Sequence, residues 1–265
     1  KRTSRGSWLA KDGGRPLRIL HLASHELNVG DGALNAVIRD RLQALSHRRL
    51  EFTLADVVIG PQHLAAADVD AFDLVLVGGG GAINNSRRAA RTGTELPMSL
   101  EEYRRSSARF AFVALGHNLF AGERCRHGDA LAKLIQAAAE RGDPFSVRND
   151  GSLARVARDV GAVSSTVIEV PDPGFFIESP AVRPHEVGGR PYALLQVAGD
   201  SLWRRLGGGQ ARRVLHRILP LGPLRFADAL ADWGVRCWRE HDLDILVTPH
   251  IRTDVHLAAI VLDRL

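Results

Sequence analysis

The sequence predicts an α/β protein built on parallel sheet. Strand-length apolar runs alternate with helix-length amphipathic stretches along almost the whole chain, the pattern of βαβ units covered on both faces. The apolar fraction of 45% and charged fraction of 25% are those of an ordinary globular protein with a core of useful size. At 265 residues, one large domain or two smaller ones are both open.

Residues 1–15 are polar and glycine-rich and read as a trimmed or flexible leader. Leu17 to Ala23 (LRILHLA) opens the first domain as a strand. Asp31 to Leu45 then places Leu34, Val37, Ile38, Leu42 and Leu45 on one helical face, with Asp31 at the N-cap position. Strands are expected at Phe52–Val58, Leu74–Val77, Phe110–Leu115, Phe145–Val147 and Thr166–Val170, with helices over Ala130–Arg141 and Gly151–Val160. The Pro-, Gly- and charge-rich stretch 179–190 marks a linker between domains 16–178 and 191–265. Beyond it come strands at Tyr192–Val197 and Ile245–Thr248. Helices are expected at Ala211–Leu219, Phe226–Glu240 and Thr253–Leu265. Two βα units make a small domain that buries a poor fraction of its surface. Its aromatics Trp203, Phe226, Trp233 and Trp238 therefore predict a covering surface: further residues, the first domain, or a second copy in a homo-oligomer.

The net charge of +5 is carried almost wholly by Arg, with Lys at positions 1, 11 and 133. No basic run interleaved with aromatics appears, so nucleic acid is not an expected partner. Cys125 and Cys237 stand far apart without metal-ligand spacing and read as the reduced thiols of a cytoplasmic protein. The longest apolar runs are strand-length, too short to span a membrane. His21 and His25 straddle a strand end rather than sharing a helix face, so no metal site is expected.

Five motifs fall at the carboxyl edge of the predicted sheet, where open α/β sheets bind ligands. Asn28-Val29-Gly30-Asp31 joins the first strand to its helix, either as a seat for an anion or hydroxyl-rich ligand or as a plain capped turn. Gly78-Gly79-Gly80-Gly81 follows LVLV and offers backbone N–H groups to a ligand, or serves close packing. It is not a P-loop, and the GxGxxG pattern fails at Ile83 and Asn84. Gly116-His117-Asn118 ends FAFVAL and puts a near-neutral titrating group at the edge, in an acid–base or a structural role. In Arg148-Asn149-Asp150-Gly151-Ser152, Arg148 suits an anion clamp or an ion pair with Asp150, and Asp150 or Ser152 caps the next helix. Pro171-Asp172-Pro173-Gly174 holds Asp172 on stiff, extended backbone, to aim it at a site or to lead into the linker.

In this order, N-x-G-D, the glycine run, the Gly ending FVALG, V-R-x-D-x-S and P-D-P resemble the polysaccharide pyruvyl transferase family from about Leu17 to Phe176. Weaker matches, QVAGD and VTPHIRTD, continue to Asp254. The resemblance implies a GT-B-like fold, with two Rossmann-like domains facing a cleft. The family's late Arg-His motif has no counterpart after Arg252, so the second domain reads as incomplete. It implies transfer of pyruvate from phosphoenolpyruvate onto hydroxyls of a sugar or glycan, often as a ketal, with no cofactor. His117 is then the candidate proton donor or acceptor and Arg148 the candidate cation for the donor. Asp31 and Asp172 are candidates for the acceptor side. Asn28, Gly30, Gly79, Gly80, Gly81, Asn118, Asp150 and Ser152 complete the expected binding set. A nucleotide-sugar glycosyltransferase and a non-catalytic carbohydrate-binding relative remain as alternatives.

Overall fold

The computed structural model describes residues 15–26, 28–119, 123–178, 191–197, 221–249, 251 and 254–265. They fall into two units, one of residues 15–26 and 30–177, the other of 28–29 and those from 178 onward. Residues 1–14 of the expected leader, the linker and the helix at Ala211–Leu219 lie outside the described residues.

The first unit is a six-stranded, all-parallel sheet of β1 (Leu17–Ala23), β2 (Leu50–Asp56), β3 (Leu74–Ile83), β4 (Arg109–His117), β5 (Phe145–Arg148) and β6 (Ile168–Val170). Spatial order is β2-β1-β3-β4-β5-β6. The chain steps outward from β1 to β2, crosses back to β3, then proceeds one way to β6. The sheet thus has its topological switch point between β1 and β3, where two neighbouring strands send their connections to opposite faces and a crevice opens.

Alternation along the strands explains why both faces are covered. On one face Ile19, Leu76 and Ala111 pack with Ile38 of α1 (Val29–Leu45). On the other, Leu20, Leu22, Val75, Val77, Phe110 and Phe112 meet Leu131, Leu134 and Ile135 of α4 (Gly128–Arg141). Two short helices, α2 (Ala66–Val69) and α3 (Leu100–Arg105), and α5 (Ser152–Val160) complete this unit. Leu45, expected on the buried face of α1, is the last residue of the helix and is 70% exposed.

β3 differs from expectation. The glycine run is not a turn after the strand but its second half, paired with β4 through Gly78↔Val113 and Gly80↔Leu115. Glycine is required there twice over. Gly78, Gly79 and Gly80 have φ of 133°, 82° and 116°, a region L side chains rarely adopt. A Cβ on Gly79 would also lie 1.9 Å from Asn35 Oδ1.

The second unit holds a two-stranded parallel sheet of β7 (Tyr192–Val197) and β8 (Asp244–Pro249), with α6 (Leu221–His241) and α7 (Val255–Leu262). Its core is small: Val197, Ala227, Leu257, Ala258 and Val261. Trp233, Trp238 and Leu194 remain exposed. Among the described residues, no helix is long and apolar enough to cross a membrane.

Candidate functional site

The carboxyl ends of β1 and β3, at the switch point, enclose a cleft of about 170 Å³. Its walls include Ala23 at the end of β1 and Ser24 after it, Gly78 to Ala82 of β3, Asp31 in the first turn of α1, and Asn84, Glu95 and Asn118. Three groups around the cleft set its shape. Asn35, fully buried, donates from Nδ2 to Ser24 O (2.9 Å) and Gly79 O (3.3 Å), pinning the two strand ends together. His21, also fully buried, lies 3.1 Å by Nε2 from Gly78 O, while Arg39 lies 3.3 Å from Nδ1. Because Arg39 can only donate, the ring is neutral with its proton on Nε2. Burial drives its pKa down to about 3, with the neighbouring His25 and Arg39 charges acting in the same sense. Asp56, at the end of β2, accepts from the N–H groups of His25, Glu26, Val58 and Ile59, and so fixes the turns beside the cleft. Burial works against its carboxylate, but the four N–H donors outweigh that and hold its pKa below the ordinary range.

Asn84 Nδ2 donates to Glu95 Oε1 at 2.7 Å and to Gly81 O at 3.2 Å. The backbone N–H of Asn118 donates to Ile83 O at 2.7 Å, and its side chain stands where a Cβ of Gly81 would be. The cleft therefore offers two carboxylates, two carboxamides, a serine and glycine backbone, and none of its described lining residues is Lys, Arg or His. Such a donor and acceptor set matches hydroxyl groups and repels a multiply charged anion.

Of the expected site residues, Asp31, Gly79, Gly80, Gly81 and Asn118 line the cleft. Asn28 and Gly30 do not; Asn28 groups with the second unit, where it bridges Ile251. His117 is also absent from it. Its side chain is buried, with Nε2 2.8 Å from Asp159 Oδ2 of α5, so the expected edge-facing acid or base is turned into the sheet–helix packing. Three α5 residues spaced three and four apart hold this strand end. Ser152 Oγ accepts from His117 N, Arg155 donates to His117 O, and Asp159 takes the ring. Burial opposes the Asp159 charge, yet hydrogen bonds from Arg158, His117 and the Cys125 N–H prevail and keep its pKa low.

Arg148 lies against Gly116, whose Cβ would fall 2.2 Å from Nη2. Its fork spans two carboxylates, with Nη2 3.0 Å from Asp150 Oδ2 and Nη1 3.2 Å from Asp172 Oδ2. Asp150 Oδ1 in turn accepts from Ser152, and Asp172 Oδ1 accepts from Gly174 N at 2.8 Å. Arg148, Asp150, Ser152 and Asp172 thus form one network at the ends of β5 and β6, separate from the cleft lining. Sequence reasoning missed Asn35, Asp56, Asn84 and Glu95. Asn84 was visible only as the residue that spoils GxGxxG, and Glu95 lies in an irregular segment with no local signal.

The model of the polysaccharide pyruvyl transferase family matches residues 25–224. The chain belongs to that family. No curated protein matches the chain. Among solved structures, an AraC family transcriptional regulator from Pseudomonas putida aligns at 12% identity and a TM-score of 0.33, covering 59% of this chain and 77% of that one. That likeness is too slight to bear on fold or function. Family membership accords with the motif order along the first unit, where the cleft and the Arg148 network both lie.

Proposed function

We propose that the protein transfers pyruvate from phosphoenolpyruvate to hydroxyls of a sugar or glycan, with the β1/β3 cleft holding the acceptor. The observation that supports this placement is the lining itself: Asp31, Glu95, Asn84 and Asn118 offer hydrogen-bond partners suited to hydroxyls, and no described lining residue is cationic. In the transfer, the donor methylene carbon gains a proton and its neighbour develops oxocarbenium character. An acceptor hydroxyl bonds to that carbon and loses its proton. For a ketal, a second hydroxyl of the same sugar then displaces phosphate, so two O–H bonds are lost, a methyl group forms and phosphate carries away the other proton. In this reading Asp31 accepts the hydroxyl proton as general base. Glu95 and the two carboxamides orient the sugar.

The test is to incubate the protein with phosphoenolpyruvate and a panel of glycans, following phosphate release and the mass of the glycan. Phosphate release matched by pyruvylated product is the expected result. Turnover of nucleotide sugars in a parallel panel would support the glycosyltransferase alternative, and glycan binding without any turnover the non-catalytic one.

A further inference from the structure

The Arg148 network borders a second hollow at the same edge of the sheet. Its volume is about 420 Å³, and Asn149, Asp150, Asp172, Gly174 and Phe175 line it. Phe175 is 77% exposed, a large apolar ring left in water beside two carboxylates. Those carboxylates are held rigidly, since Arg148 bridges one oxygen of each. Their side chains nonetheless stay 38% and 24% exposed, and an ionised carboxylate has about four lone-pair sites. Asp150 and Asp172 therefore keep accepting capacity toward the hollow. Two carboxylates disfavour an anionic occupant, and they would strand an apolar one against charge. A sugar satisfies both kinds of wall, because its ring carries an apolar C–H face and a rim of hydroxyl donors.

We propose that this hollow is a second sugar-binding subsite, with Phe175 as the stacking platform and Asp150 and Asp172 as hydroxyl acceptors. The acceptor is then an oligosaccharide or polysaccharide chain laid along the carboxyl edge of the sheet. The topology gives the span. From the β1/β3 cleft to the ends of β5 and β6 is three strand spacings, roughly 14 Å at about 4.8 Å each, more than one sugar unit covers. The inference rests on the acceptor reading of the cleft and gives it a length preference. In this role Asp172 binds sugar while Arg148 positions the two carboxylates.

The test is a printed array of neutral mono- to hexasaccharides probed with the whole protein and its Phe175→Ala and Phe175→Tyr variants. Parent and Phe175→Tyr should bind the longer members at least tenfold better than the monosaccharides. Phe175→Ala should lose that advantage at an unchanged melting temperature. For the longest bound glycan, NMR saturation of aromatic ring protons should reach the sugar ring C–H protons in the parent and weaken in Phe175→Ala. Monosaccharides bound as well as hexasaccharides, no glycan bound at all, or Phe175→Ala indistinguishable from the parent would each overturn the subsite. Phosphate release from phosphoenolpyruvate with a monosaccharide acceptor reports separately on the transfer reaction, and its presence would leave that reading standing even if the subsite fails.

Discussion

The two halves of the sheet's carboxyl edge are built by opposite means. At β1 and β3 side chains are withdrawn. Three glycines with positive φ leave room for Asn35, Asp31 and the Val113 carbonyl, and what remains is a cleft of glycine backbone and polar side chains beside Val57, Val58 and Val77. At β4, β5 and β6 side chains are knitted together. His117 is bound to Asp159, and Arg148 to Asp150 and Asp172. The residue types that attract notice in a sequence, His and Arg, are thus engaged in holding strand ends to helix α5 and to the turn after β6. The less conspicuous glycines and amides shape the cleft. An Arg or His at a ligand-binding edge is evidence of chemistry only once its partners are known.

The sharpest way to break this contrast is at Gly79. Gly79→Val combines a φ of 82° with a Cβ 1.9 Å from buried Asn35 Oδ1. The expected loss is about 3–5 kcal/mol of stability in urea unfolding, strain and overpacking together. On the ligand-facing reading of the run, the same substitution would cost binding and spare stability. Near-parental unfolding with ligand binding abolished would restore that view.

A group beside the cleft supplies the next effect. His21 has a folded pKa of about 3 against 6.5 for an ordinary histidine, so the unfolded chain holds the proton more tightly. Its contribution is complete above pH 6.5 and is lost as pH falls toward 3, amounting to ~2–3 kcal/mol by pH 4.5. Unfolding midpoints of the parent and of His21→Gln, measured from pH 7.5 to 4.5, should diverge accordingly, with the variant showing the flatter slope. Parallel slopes would mean that His21 is not the buried neutral group beside the glycine run.

Arg148→Lys should have a smaller effect. It keeps the charge and loses the planar fork that reaches both carboxylates, at about 1–2 kcal/mol of stability. Affinity for phosphoenolpyruvate measured by calorimetry should stay within threefold of the parent. A large loss of donor affinity with stability intact would make Arg148 the anion clamp that its position in the sequence suggested.

Much of the sheet was legible because burial on both faces writes apolar runs of strand length and turn residues between them. Apart from the far end of β3, the parallel strands, α4 and α5 could be placed to within a few residues. The direction of side chains was less legible. Ser152, Arg155 and Asp159 share a helix face by their spacing, but nothing in that spacing says that His117 lies under it. The glycine run was readable as special, yet its continuation as strand depends on Asn35 and Val113, which come close only in the folded sheet. Glu95 reaches the cleft from an irregular segment through its bond to Asn84, a contact that no periodicity encodes.

The most direct test of the account sets Asp31 against His117. Asp31→Asn and His117→Gln should be compared for phosphoenolpyruvate-dependent phosphate release, scaled to the folded fraction, alongside their unfolding midpoints. If the β1/β3 cleft carries the chemistry, Asp31→Asn loses about 100-fold or more in kcat, within the range for general acid–base groups, with little change in midpoint. His117→Gln then lowers the midpoint and keeps kcat within a few fold. The reverse pattern, a stable His117→Gln without turnover beside an active Asp31→Asn, would contradict it.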